Sequence, residues 1–127
     1  MIAYDATTEQ ITVTVRPVFL GDRSDVLARQ FVFAYFVEIA NGGYGEVQLL
    51  RRHWVITDGD GNVEEVEGPG VVGRQPVLAP GDVHSYNSYC VLKTFEGAME
   101  GTYLMQRENG SRFRVQIPRF YLRALAN

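Results

Sequence analysis

The chain has 127 residues, 46% hydrophobic and 21% charged, which excludes a disordered chain and predicts one soluble domain burying roughly two-thirds of its unfolded surface. A net charge of -3 and a pI near 5.3 give the whole molecule no attraction for nucleic acid or anionic lipid. Cys90 is the only cysteine, so no internal disulfide forms and a reducing compartment is expected.

The start, "IAYDATTEQ", lacks the basic and apolar segments of a signal peptide, and no apolar run approaches a membrane span. Cytoplasmic localisation without membrane insertion is the expectation. "QITVTVRPVF" then alternates, with Ile11, Val13 and Val15 on one face. Pro17 lacks an N–H and predicts an edge or a bulge there. "QFVFAYFVEIA" is apolar on both faces (Phe31 to Ile39, and Val32, Ala34, Phe36), as expected of a central strand.

After the turn "NGGYG" comes "EVQLLRRHWVITD". Strict alternation puts Leu50, Arg52, Trp54 and Ile56 on one face and Leu49, Arg51, His53 and Val55 on the other. "DGDGN" turns the chain into "VEEVE". "VHSYNSYCV", "AMEGTYLMQR" and "RFRVQIPRFYL" supply the remaining strands, separated by "KTFEG" and "ENGS". Short strands, frequent turns and no helical period predict an all-β fold. The specific expectation is an antiparallel sandwich of the immunoglobulin or fibronectin type III kind, with about seven to eight strands in residues 1–127. Trp54 is the expected core tryptophan. Without a disulfide, the fibronectin version is favoured.

Gly68, Gly70 and Gly73 spell G-x-G-x-x-G, the spacing of a pyrophosphate-cradling loop. Such a loop opens a helix whose N–H groups meet the phosphates. Here Pro76 and Pro80 exclude the helix, Pro69 removes a donor, and Glu64, Glu65 and Glu67 repel an anion. What remains is a structural connection, or an anion nest formed by Gly68, Gly70, Val71, Val72, Gly73 and Arg74.

"DGDGN" imitates a calcium loop, but its sixth and twelfth positions hold Val63 and Pro69 instead of Gly and Glu. It reads as a hairpin turn, with Asp58 and Asp60 as candidates for a surface cation contact. His53 and His84 lack metal-ligand spacing. Cys90 reads as a buried apolar residue. On the tryptophan face, Arg52 demands a carboxylate or an aromatic ring if buried. Either a bulge turns it outward or it forms a structural ion pair; this structural reading is the expectation, with a ligand-binding polar site at Arg52 and His53 as the alternative. No catalytic constellation is readable, so neither enzyme activity nor a cofactor is expected.

The run "VQLLRRHWVITDGDGNVEEVEGPGVVGRQPVLAPGD" at Val47–Asp82 resembles the ApaG family (DUF525 domain). "FVFAYFVEIAN", "GAMEGTYLM" and "FRVQIPRFYL" extend the likeness along the chain. The resemblance implies a fibronectin type III-like sandwich, a link to cobalt tolerance and magnesium efflux, and protein binding as the mode of action. The glycine loop is the part of the family discussed as a pyrophosphate site. Tyr89 and Val91 depart from its usual glycine and proline, and Arg74 stands where an acid is common. The functional expectation is a binding module with an unidentified protein partner and an indirect role in Co²⁺ and Mg²⁺ homeostasis. Two alternatives stay open: a pyrophosphate or nucleotide binder or hydrolase, and a direct divalent-cation binder. Self-association as a homodimer stays open as well.

Overall fold

A computed structural model describes residues 2–125 of the chain. Among them are nine strands: β1 (Tyr4–Thr8), β2 (Ile11–Phe19), β3 (Phe31–Asn41), β4 (Val47–Asp58), β5 (Val63–Pro69), β6 (Val77–Leu78), β7 (Val83–Leu92), β8 (Glu96–Arg107) and β9 (Arg112–Arg123). All pairing between strands is antiparallel. One sheet runs β1-β2-β3-β7 and the other β5-β4-β8-β9, with β6 added beside β4. The expected sandwich is present with nine strands, because two, β1 and β6, are too short for their alternation to register in the sequence. The only helical piece among the described residues is a 3₁₀ turn at Gly21–Arg23. No helix among them is long and apolar enough to cross a membrane.

Alternation places the core where the sequence indicates in most strands. Ile11, Val13 and Val15 of β2 and Phe31, Phe33, Tyr35, Val37 and Ile39 of β3 are buried. They meet Met99, Tyr103 and Met105 of β8 and Val115, Ile117, Phe120 and Leu122 of β9. β3 is central, between β2 and β7. Pro17 lies past the end of β1, whose pairing with β2 stops at Val15. Its missing N–H therefore leaves no gap in the ladder.

Two bulges set the rest. In β4, Leu49 pairs with Met105 and Arg51 with Leu104, so Leu50 is an extra residue. A bulge of this kind shifts the phase of the strand by one residue. Val47 and Leu49 face inward before it, Trp54 after it, while Leu50 is only half-buried. The expectation that Leu50 shares the Trp54 face is thus corrected: Leu49 holds that core position. In the other bulge, Met99 pairs with Phe120 and Gly101 with Ile117. The extra residue falls in β9 near Pro118, so Ile117 and Phe120 both point inward. Gly101 lies opposite Trp54, and a Cβ there would run into the His53 carbonyl.

Trp54 is 3% exposed. Its ring meets Tyr35 and Phe120 edge-on, at centroid distances of 5.4 and 5.9 Å. Asn41, also buried, is fully satisfied: Nδ2 donates to the carbonyls of Gly45 and Leu78, and Oδ1 accepts from the Gly43 N–H. It fixes the turn after β3 to β6.

Trp54→Ala removes the centre of this aromatic cluster and is expected to cost roughly 3–5 kcal/mol in urea titration. The same titration should separate the neighbouring leucines. Leu49→Ala is expected to cost about 2–5 kcal/mol, and Leu50→Ala clearly less. Equal losses would remove the bulge from β4.

Candidate functional site

The bulge that buries Leu49 also turns Arg52 inward. Arg52 lies opposite Tyr103 on one side and Gly68 on the other. The ion pair expected for it is absent among the described residues, and its partners are carbonyls instead. Nη1 donates to the oxygens of Pro69 and Gly70 at 2.9 and 3.1 Å. The guanidinium lies flat enough on Gly68 that a Cβ there would come within 3.1 Å of it.

Three tyrosines share this region. Tyr86 and Tyr103 hydroxyls are hydrogen-bonded to one another, and Tyr35 is hydrogen-bonded to Ser88. Burial pushes all three phenols above their ordinary range, against a lowering effect from Arg52. They stay neutral at physiological pH, so the charge of Arg52 is met by carbonyl dipoles rather than by a phenolate. Sequence reasoning missed this tyrosine seam. Its signal was the polar inner face of "VHSYNSYCV", where His84, Tyr86 and Ser88 alternate with outward residues.

The glycine loop is a tight turn on a braced stalk. Val71 N–H donates to the Arg74 carbonyl at 2.8 Å and Arg74 N–H to the Val71 carbonyl at 3.0 Å. Between them Val72 and Gly73 hold φ of 47° and 75°, the backbone of a type I′ turn. Gly70 has φ 60°, and a Cβ there would collide with the Arg74 carbonyl. Below the turn, the bulged Leu50 carbonyl accepts both the Gly70 N–H and Gln75 Nε2. Val71 is buried as the loop's anchor, whereas Val72 is 66% exposed. The N–H groups of Gly70, Val71 and Arg74 are thus engaged within the chain, which leaves those of Val72 and Gly73.

The other candidate residues lie apart from the loop. His53 faces outward on β4, where Nε2 is 2.9 Å from Glu65 Oε1. Next to it Arg51 pairs with Glu67 at 3.3 Å. Two of the three glutamates preceding the loop therefore have cationic or imidazole partners. Arg52 and His53 point to opposite sides of the sheet and form no joint site.

Asp58 closes the β4–β5 hairpin. Its Oδ1 accepts the N–H groups of Asp60 and Asn62, and Oδ2 accepts Asn62 Nδ2. Slight desolvation pushes this carboxyl up, but the hydrogen bonds from Asn62, Asp60 and Gly61 together hold it below its ordinary value. Asp58 and Asp60 line a groove of about 390 Å³ with Asn62, Val91 and Lys93. Among the described residues no group of three or more His, Cys, Asp or Glu is placed to hold a metal ion.

Cys90 is buried, and burial followed by the nearby Glu64 raises its thiol to about 11. A thiol so far above neutrality is a poor nucleophile. His84 is held below its ordinary value by burial and then by the charge of Arg74.

That lowering has a consequence for stability. The unfolded chain binds the His84 proton more readily than the folded one. Folding stability is therefore lost as pH falls from the ordinary histidine value of about 6.5 toward the lowered one. NMR titration is expected to give a His84 pKa below 6.5, raised but not fully restored in Arg74→Gln, since burial is the larger cause. An unchanged His84 in that variant would separate the loop from β7.

The family pattern of the ApaG domain (DUF525) matches residues 21–107 of this chain. Protein ApaG of Paramagnetospirillum magneticum is 56% identical over 119 residues, covering 94% of this chain and 92% of that protein. Protein ApaG of Methylocella silvestris is 51% identical over the same shares. A crystal structure of a protein described as ApaA from Bordetella pertussis superposes with a TM-score of 0.89 at 47% identity, covering 92% of this chain and 95% of that one. With the sandwich, the braced glycine loop and these relatives in agreement, the chain belongs to the ApaG domain family.

Proposed function

We propose that this chain is a cytoplasmic binding module that acts through a protein partner, with the loop from Gly68 to Arg74 as its recognition element. The observation that carries the reading is Val72. A β-branched residue in the left-handed region is strained by about 1–2 kcal/mol, and a type I′ turn strongly prefers Asn or Asp before its glycine. Val72 nevertheless occupies the tip, 66% exposed, with φ 47°. Strain kept at an exposed apolar tip is the mark of a residue retained for what it touches. Arg52, Gln75 and the buried Val71 hold the tip rigid, so little ordering is lost on binding.

In this reading the chain performs no catalysis and needs no cofactor, and it makes no use of nucleic acid. The family's link to Co²⁺ and Mg²⁺ homeostasis is then indirect, exerted through a partner such as a transporter or its regulator. Anion recognition by Val72 and Gly73 N–H groups is the second reading. Two donors without a helix behind them hold phosphate at about millimolar strength.

Val72→Asn separates structure from recognition. The variant is expected to be more stable than the parent by roughly 1 kcal/mol in urea titration, yet to lose the partner. Tagged parent, Val72→Asn and Tyr44→Ser (an exposed site on another loop) are compared by pull-down from cytoplasm with mass-spectrometric identification. A partner kept by Tyr44→Ser and lost by Val72→Asn supports the proposal. A partner captured equally by all three places recognition elsewhere. Micromolar binding of pyrophosphate or ATP in calorimetry, lost in Arg74→Glu at unchanged fold, would favour the second reading.

A further inference from the structure

The free edges of the two sheets are guarded unequally. β5 carries Glu64, Glu65 and Glu67 and ends on Pro69. β9 carries four arginines and a bulge at Pro118, and β1 is short and holds Asp5. Charge, proline, bulges and brevity are the devices that stop another strand from adding to an edge. β7 has none of them. Its 10 residues contain no charge and no proline, it pairs with β3 alone, and its register is unbroken from Val83 to Leu92.

The phase of that ladder shows which groups are free. Asn41 N–H donates to the Asp82 carbonyl. Alternation along an antiparallel pair then gives His84, Tyr86, Ser88, Cys90 and Leu92 the bonds to β3. Val83, Ser85, Asn87, Tyr89 and Val91 direct their N–H and C=O groups away from it. No turn, loop or side chain among the described residues takes those groups. The side chains of the same five residues lie on the outer, exposed face of the sheet.

The geometry points to a second copy of this chain as the occupant, its β7 added antiparallel about a two-fold axis through Asn87. That register places the free backbone groups of five facing pairs together. It sets Val83 opposite Val91 of the other copy, Ser85 opposite Tyr89, and Asn87 opposite its own equivalent. No like charges meet. At each end Asp82 of one copy stands opposite Leu92 of the other, one position from Lys93, so exposed opposite charges occupy neighbouring positions of the two copies. Val32 and Val91 of one copy continue into Val83 and Ala40 of the other as one apolar strip, because Val32 pairs with Val91 and Ala40 with Val83 within each sheet. The product is a continuous eight-stranded sheet, four strands from each copy. A strand of another protein could use the same edge, but these matched ends and matched valines are properties of β7 against itself.

Sedimentation velocity and light scattering over a concentration series test it, with circular dichroism as the check on folding. The parent is expected to be a dimer. Asn87→Lys, which places two ammonium groups on the axis and leaves the β3 ladder untouched, is expected to weaken it by about tenfold or more. Tyr44→Lys, the same charge change away from β7, is expected to leave the mass unchanged. Under mild oxidation Asn87→Cys is expected to crosslink two copies, and Ser85→Cys, which faces Tyr89, is not. A parent that remains monomeric at about 1 mM, the scale of weak association, overturns the proposal. So does a dimer that survives Asn87→Lys or crosslinks only through Ser85→Cys.

Discussion

The extra residue at Leu50 is the constraint on which most of this structure depends. One residue inserted into β4 exchanges the two faces of the strand. Without it, Val47 and Leu49 could not be buried in the same strand as Trp54, since they are separated by an odd number of residues. With it, the strand contributes Leu49 to one part of the core and Trp54 to another. The same phase change turns Arg52 inward and sends His53 out to Glu65. The carbonyl left over at the bulge receives Gly70 N–H and Gln75 Nε2. The core and the glycine loop are thus two consequences of one irregularity, and neither can be altered there independently.

That coupling explains why a cation is tolerated against a tryptophan core. A guanidinium facing a sheet interior needs several acceptors at once. The loop supplies two carbonyls, and the neutral tyrosines supply a polar lining without a competing charge. The loop in turn gains a rigid base. Its conformation is set from below, by the sandwich, which is the arrangement expected of a scaffold that presents a loop.

Much of the fold was legible because β2, β3, β8 and the first half of β9 keep a period of two over their whole buried length. Trp54 as a core residue, Pro17 at a locally open edge and Asp58 in a hairpin turn follow from residue chemistry alone. The bulges were not legible. Alternation in "VQLLRRHWV" can be continued across Leu50 in either phase, and only the partner strand chooses. Leu50 was therefore misplaced, and Arg52 was assigned a carboxylate where carbonyls from the loop already sufficed. The tyrosine seam was hidden for a related reason: Tyr35, Tyr86 and Tyr103 come from three strands whose neighbours a sequence does not name. β6 is two residues long, below what any period can register.

The glycine spacing itself has a structural origin. Gly68 must lie under a guanidinium that leaves little room for a side chain. Gly70 must take positive φ while facing the Arg74 carbonyl, and Gly73 must occupy the second centre of a type I′ turn. Three local requirements, spaced by the path of the chain, reproduce the G-x-G-x-x-G pattern with no helix following it. A phosphate loop uses its glycines to bring backbone N–H groups up to a ligand. Here the turn directs three of those N–H groups back into the chain. What the loop offers outward is a strained valine and, two residues on, an arginine whose charge is felt by His84. A motif shared by two folds therefore has to be read through the bonds its backbone makes, and in this chain those bonds favour presentation of a surface over enclosure of an anion.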